Sequence, residues 1–231
     1  MKTIGLLGGM SWESSLEYYR ILNQTVRARL GGLHSAKCLL CSVDFAEVEP
    51  LQHQGRWDEA AQLMIQAAQS LERGGADVIV ICTNTMHKLA DEVQRSVDIP
   101  ILHIADATAQ AVRAQGLETV GLLGTRFTME EEFYRGRLSQ KHGLRVLLPD
   151  RAERDAVHRA IFDELCLGTI LDSSRARYLE ICQHLADAGA QGIILGCTEI
   201  GLLLRQQDTT IPLFDTTRIH AEKAVDWALA R

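Results

Sequence analysis

The segments "GADVIVICTNT" (Gly75–Thr85) and "GAQGIILGCTE" (Gly189–Glu199) follow one plan. Each opens on Gly-Ala, continues as an unbroken apolar run and stops at small polar groups. A strand of a parallel sheet covered on both faces reads this way, because no side of it meets water. The offset between the two is 189 − 75 = 114 residues. "IGLLG" (Ile4–Gly8) returns as "VGLLG" (Val120–Gly124), an offset of 120 − 4 = 116. "IPILHIADATAQAV" (Ile99–Val112) returns as "IPLFDTTRIHAEKAV" (Ile211–Val225), an offset of 211 − 99 = 112. Three matched segments, in one order and at nearly constant spacing, predict two copies of one unit.

Between the apolar runs lie longer stretches with helical periodicity, such as "SSLEYYRILNQTVRARL", "DEAAQLMIQAAQSLERG" and "SRARYLEICQHLADAG". Alternating strands and helices define an α/β fold of two pseudo-symmetric lobes, each a mostly parallel sheet flanked by helices. The expected division is 1–101 plus 209–231 for the first lobe and 102–208 for the second. The last segment is expected to return to the first lobe. Open α/β sheets bind ligands beyond the carboxyl ends of their strands, so the active site is expected in the cleft between the lobes.

The chain has 231 residues, 46% hydrophobic and 23% charged, with a formal charge of −6 and no basic block. That balance argues against nucleic acid or an anionic membrane surface as partner. No apolar stretch reaches the length of a membrane span. Gly5, Gly8 and Gly9 break the first apolar run, so a signal peptide is not expected. Six irregularly spaced cysteines do not resemble a disulfide framework, which points to the cytoplasm and reduced thiols.

Aligning the Gly-Ala starts sets Cys82 opposite Gly196, Thr83 opposite Cys197, Asn84 opposite Thr198 and Thr85 opposite Glu199. A one-residue slip would reverse every face, so this register identifies the functional atoms. Cys82, matched by a residue without a side chain, reads as a small buried hydrophobe. Thr83 and Cys197 read as two proton-carrying groups on opposite sides of one cleft. Such a pair suits inversion at carbon, one removing a proton from one face and the other delivering one to the opposite face. Near-attack geometry would hold each about 3–3.5 Å from the carbon.

"GLLGGMSWESSLEYY", "CTNTMH" and "LGCTEI" together resemble the aspartate/glutamate racemase family, over Gly5 to Ile219. The resemblance implies racemisation of aspartate, glutamate or a close analogue without pyridoxal phosphate, metal or any other cofactor. It also implies a homodimer. In that family two cysteines act as acid/bases; Cys197 matches the second, and the first falls at Thr83, where this chain departs from the pattern. A hydroxyl is a far weaker acid than a thiol, whose reference pKa is about 8.5. It can donate a proton to a carbanion or relay one from water, but is a poor base. The resemblance assigns the second-lobe cysteine to the hydrogen of L-substrates, so a preference for L-substrates is expected.

Around this pair, backbone N–H groups at Met10 and Ser11 read as a carboxylate site before a helix, or as a tight turn only. Thr125 stands in the related turn of the second copy. Asn84, Thr85 and Thr198 read as neutral substrate donors. Glu199 accepts the substrate ammonium, orients Thr198, or is a solvated helix-start residue. The resemblance places Gln52 at the side-chain carboxylate, and an ordinary loop glutamine is the alternative. Cys38 and Cys41 form C-x-x-C within a strand and without a second pair, so no metal is expected. His87 polarises the site or is structural, and His103, His158 and His220 are too scattered for a metal. Two further readings stay open: a dicarboxylate decarboxylase or cis–trans isomerase of the same superfamily, and a noncatalytic amino-acid-binding protein.

Overall fold

The computed structural model describes residues 1–230. The chain forms two compact units: Met1–His103 with the chain from His220 onward, and Ile104–Ile219.

The first unit runs β1 (Ile4–Gly8), α1 (Trp12–Leu30), β2 (Cys38–Ser42), α2 (Phe45–His53), α3 (Trp57–Arg73) and β3 (Val78–Ile81). A 3₁₀ turn (Thr85–Leu89), α4 (Ala90–Gln94) and β4 (Ile101–Leu102) follow. The strands are all parallel in the order β2-β1-β3-β4. Both faces of this sheet are covered, which explains the unbroken apolar runs. Val78, Val80 and Cys82 pack with Ile4, Leu6, Tyr18 and the C-terminal helix (Thr216–Leu229) through Ala221, Ala224 and Val225. Ile79 and Ile81 point the other way, into a core with Met64, Ala68 and Leu71 of α3. Burying each such Val, Leu or Ile side chain contributes roughly 1.5–3 kcal/mol. Cys38 and Cys41 fall in these two different cores, as a three-residue spacing in a strand dictates. They cannot share a metal or a disulfide.

The turn between β1 and α1 is built by close approach. Gly9 has φ 92°, and a Cβ there would stand 2.1 Å from the Val43 carbonyl oxygen. Only glycine fits. Ser11 then caps α1, its hydroxyl accepting from the Ser14 N–H.

The second unit comprises α5 (Ile104–Ala114), β5 (Thr119–Gly124), α6 (Arg126–Glu130), α7 (Glu132–Gly136), β6 (Arg145–Leu147) and α8 (Arg151–Asp163). It continues through α9 (Asp172–Asp187), β7 (Ile193–Gly196), α10 (Ile200–Leu203) and β8 (Leu213–Asp215). The order β6-β5-β7-β8, again all parallel, repeats that of the first unit. Asp106 of α5 accepts hydrogen bonds of 2.7–2.8 Å from Arg137, Lys141 and His142. Burial pushes this carboxyl up, but these donors outweigh it and hold it well below the usual carboxylate range.

The division differs from the expected one at its second boundary. Residues 209–219 were expected with the first lobe, yet the second unit extends to Ile219 and the return starts at His220. The reason is strand pairing. Leu213, Phe214 and Asp215 lie in register with Ile193, Ile194 and Leu195, and leaving would strand the backbone groups of β7. The first boundary also shifts, from 102 to Ile104. Among the described residues no helix is long and apolar enough to cross a membrane.

His220 anchors the returning helix and is fully buried. The Tyr18 hydroxyl donates to its Nδ1 at 2.8 Å, and its Nε2–H donates to the Leu102 carbonyl at 2.8 Å. Burial, with a smaller contribution from His87, pushes its pKa down to about 3. The folded state therefore holds it neutral. Its contribution to stability is full above the unfolded value near 6.5 and is lost as pH falls toward 3. Between pH 6.5 and 5.5 this group should remove about 1 kcal/mol of unfolding free energy. Urea unfolding of wild type and His220→Asn across that interval tests this: the variant should show a correspondingly shallower slope, and equal slopes would contradict it.

Candidate active site

The register of the two central strands fixes which residues correspond. In the first unit Leu7 of β1 pairs with Ile81 of β3; in the second Leu123 of β5 pairs with Leu195 of β7. Leu7 and Leu123 are equivalent in the repeat, so Ile81 matches Leu195. It follows that Cys82 matches Gly196 and Thr83 matches Cys197. Cys82 faces the core, and burial pushes its thiol up, away from reactivity. At Gly196 a Cβ would stand 2.8 Å from the Leu122 side chain and 2.8 Å from the Leu123 carbonyl oxygen. That position carries a core side chain in the first unit and none in the second.

In the first unit Thr83, Asn84 and Thr85 leave the end of β3 and are all buried. Ser14 of α1 donates from its hydroxyl to the Cys82 carbonyl at 3.0 Å, and His87 donates from Nδ1 to the Thr83 carbonyl at 2.7 Å. Ser15 accepts from the Gly9 N–H at 2.8 Å and donates to the Ser11 carbonyl at 3.1 Å, tying Met10 and Ser11 to α1. Met10 and Ser11 are buried at the carboxyl end of β1. Gln52 belongs to α2 rather than to a loop, and its buried amide donates to the Met86 sulfur at 3.0 Å. It therefore packs beside the same strand exit. Lys88 sits 3.9 Å over the Trp57 ring.

In the second unit Thr125 caps α6, accepting from the Thr128 N–H at 3.3 Å. It follows β5 as Ser11 follows the β1 turn. Cys197, Thr198 and Glu199 leave β7 and are buried. The Cys197 thiol donates to Glu199 Oε2 at 2.9 Å, and the Thr198 hydroxyl donates to the same oxygen at 2.8 Å. Burial comes first among the causes that push the Cys197 thiol well above its ordinary value, with the Glu199 carboxylate and the Cys166 thiol adding to it. At rest Cys197 is a neutral thiol aimed at a carboxylate. Arg126, the first residue of α6, donates to Asp155 at 2.8 Å.

Glu199 is buried and accepts from the Thr198 hydroxyl, so it is not a solvated helix-start residue. Its hold on Cys197 is a further role that sequence reasoning missed; the two-residue spacing in "CTE" was the available signal. Ser14 and Ser15 were also missed, although they lie one turn before Tyr18 on the buried face of α1. His103 and His220, distant in sequence, converge on His87 with ring centroids 4.6 and 5.6 Å away. His158 instead packs on Phe162. Among the described residues no group of His, Cys, Asp and Glu is arranged to hold a metal ion.

A family model described as Asp/Glu/Hydantoin racemase matches residues 7–224. The chain belongs to that family. Among solved structures, a Yersinia pestis chain assigned as an Asp/Glu racemase superposes with TM-score 0.92 at 57% identity, over the full length of both chains. PH1733, an aspartate racemase homologue from Pyrococcus horikoshii OT3, gives TM-score 0.87 at 34% identity, again over both full chains. The broad specificity amino-acid racemase RacX of Bacillus subtilis (strain 168) is 28% identical over 193 residues, covering 82% of this chain and 80% of RacX. In this racemase-family chain the strand-end motifs "CTNT" and "GCTE" sit at matched positions of the two sheets.

The Cys197–Glu199 contact bears on thiol acidity. With Glu199→Gln the thiol loses a carboxylate that disfavours its thiolate, so alkylation of Cys197 by iodoacetamide at pH 7–8 should speed up. Unchanged or slower alkylation in a folded Glu199→Gln variant would contradict the effect of this carboxylate on the thiol.

Proposed function

We propose that this protein is a cofactor-independent racemase of acidic amino acids, aspartate, glutamate or a close analogue, with a preference for L-substrates. The observation that carries this reading is the equivalence of Thr83 and Cys197, two proton-carrying groups at matched strand ends in one duplicated sheet. Family membership and the racemase-named relatives support it.

The proposed sequence of events starts from the neutral thiol. Glu199 takes the Cys197 proton, and the thiolate removes the α-hydrogen of an L-substrate, leaving a carbanion and a restored thiol. The Thr83 hydroxyl delivers a proton to the opposite face of the same carbon and is refilled from water. Glu199 returns its proton to the hydroxide so formed, which closes the cycle. Neutral donors at Asn84, Thr85, Thr125 and Thr198, with the backbone at Met10 and Ser11, hold the α-carboxylate and the developing negative charge. Gln52, uncharged and buried beside Met86, is proposed to meet the side-chain carboxylate. Running from the D side would require Thr83 to act as the base. The two directions share one transition state and an equilibrium constant of one, so kcat/KM is equal in both. The preference for L-substrates is proposed to lie in a lower maximal turnover of the D-enantiomer, whose proton a hydroxyl must take. The proposal extends to a homodimer in the cytoplasm, and the six cysteines are free thiols.

Replacing the weak acid tests this directly. Thr83→Cys should raise turnover of the D-enantiomer much more than that of the L-enantiomer, by at least about tenfold, equivalent to roughly 1.4 kcal/mol off the barrier. Thr83→Ala should keep deuterium exchange into recovered L-substrate while losing inversion. Chiral chromatography and α-proton NMR in D₂O read both. Normal inversion by Thr83→Ala together with no D-side gain for Thr83→Cys would end the two-face mechanism. Absence of all exchange in the wild type would favour a binding protein.

A further inference from the structure

We propose that His87 is a positioning residue for Thr83, acting through the donor at Nδ1. The inference rests on the racemase reading above and concerns how the weaker of its two acid/bases is held.

Three successive carbonyls leave β3 without a partner in the sheet. The Cys82 carbonyl accepts from the Ser14 hydroxyl at 3.0 Å, the Thr83 carbonyl from His87 Nδ1 at 2.7 Å, and the Asn84 carbonyl from the His87 N–H at 3.1 Å. The Thr83 carbonyl alone depends on the histidine side chain, since the bond to the Asn84 carbonyl comes from the backbone of residue 87. A carbonyl only accepts, so the proton must be on Nδ1, which fixes the tautomer of His87. The ring is itself held. It is buried between His103 and His220, and His220 is fixed in turn by Tyr18 and the Leu102 carbonyl. The element carrying His87 is a short 3₁₀ turn, which has little rigidity of its own. Side chains from α1 and the C-terminal helix thus reach the backbone of Thr83 through one imidazole.

The second unit solves the same problem differently. The residue equivalent to His87 is Gly201, from 87 + 114 = 201, and the Cys197 carbonyl is met by the Ile200 backbone N–H at 3.1 Å. Gly201 offers no side chain, and a Cβ there would stand 2.9 Å from the Asp215 carboxylate. The histidine serves the hydroxyl half of the site alone. A hydroxyl is a weaker acid than a thiol, so its delivery of a proton to carbon depends steeply on distance and alignment. An error of about 1 Å can cost a hundredfold. Loss of the Nδ1 donor should therefore impair delivery from Thr83 and spare removal by Cys197.

Two variants separate the donor from the ring. His87→Phe keeps the ring packing and lacks the N–H; His87→Asn loses the ring but offers an amide N–H near the position of Nδ1. Wild type and both variants are incubated with L-aspartate and L-glutamate in D₂O, and exchange and inversion are followed together, with thermal melts alongside. In His87→Phe inversion should fall by about tenfold or more while exchange into recovered L-substrate stays within about threefold. In His87→Asn inversion should stay within about threefold of wild type. Equal loss of exchange and inversion in a folded His87→Phe, or unchanged inversion, would overturn the proposal. If His87→Phe does not fold, an inversion loss of about tenfold or more in His87→Asn overturns it equally. A wild type that exchanges no deuterium would overturn the racemase reading itself, and this inference with it.

Discussion

The pairing of β3 on β1 and of β7 on β5 is the constraint on which the site depends. Side chains alternate along a strand, so one step of register decides whether Cys82 or Thr83 leaves the core. Val78, Val80 and Cys82 fill one core while Ile79 and Ile81 fill another, and sliding the strand would put all of them on the wrong side. The energy that locks the register is the burial of aliphatic side chains on both faces. The polar residues at the strand ends inherit that precision without contributing to it.

A strand that stops at a functional group must also dispose of its last backbone carbonyls inside the protein, where an unpaired one is costly. The first unit uses side chains for this, Ser14 and His87. The second uses the following helical turn and directs Glu199 at the thiol instead. These choices match the two chemistries proposed for Cys197 and Thr83. A buried thiol needs a proton acceptor before it can act as a base, whereas a hydroxyl that only delivers a proton needs a fixed position and a source of replacement.

The two-unit α/β plan was legible because it is written in local pattern: unbroken apolar runs for covered strands and near-constant offsets for the repeat. The register of Thr83 with Cys197 was legible for the same reason, since Gly-Ala starts both runs. The return of the chain was misjudged by about ten residues because the offsets equate 211–225 with 99–112 without saying which sheet each strand completes; pairing of Leu213–Asp215 with β7 decides it. The Tyr18–His220–His87 cluster had no sequence signal at all. Its members are 69 and 133 residues apart, from 87 − 18 and 220 − 87, and only the folded chain brings them together. The alternative of a loop glutamine at Gln52 does not hold, because α2 continues through Pro50 and Gln52 to His53.

The central claim is an asymmetric pair of acid/bases, a thiol with a carboxylate behind it and a hydroxyl held by its backbone. The most direct test uses the wild-type protein in D₂O, freed of metal, with pure L- or pure D-aspartate and glutamate in separate reactions. The account predicts that deuterium enters recovered L-substrate faster than the D-enantiomer accumulates, and that D-substrate exchanges and inverts much more slowly. Equal exchange from both enantiomers would show two equivalent bases and contradict it.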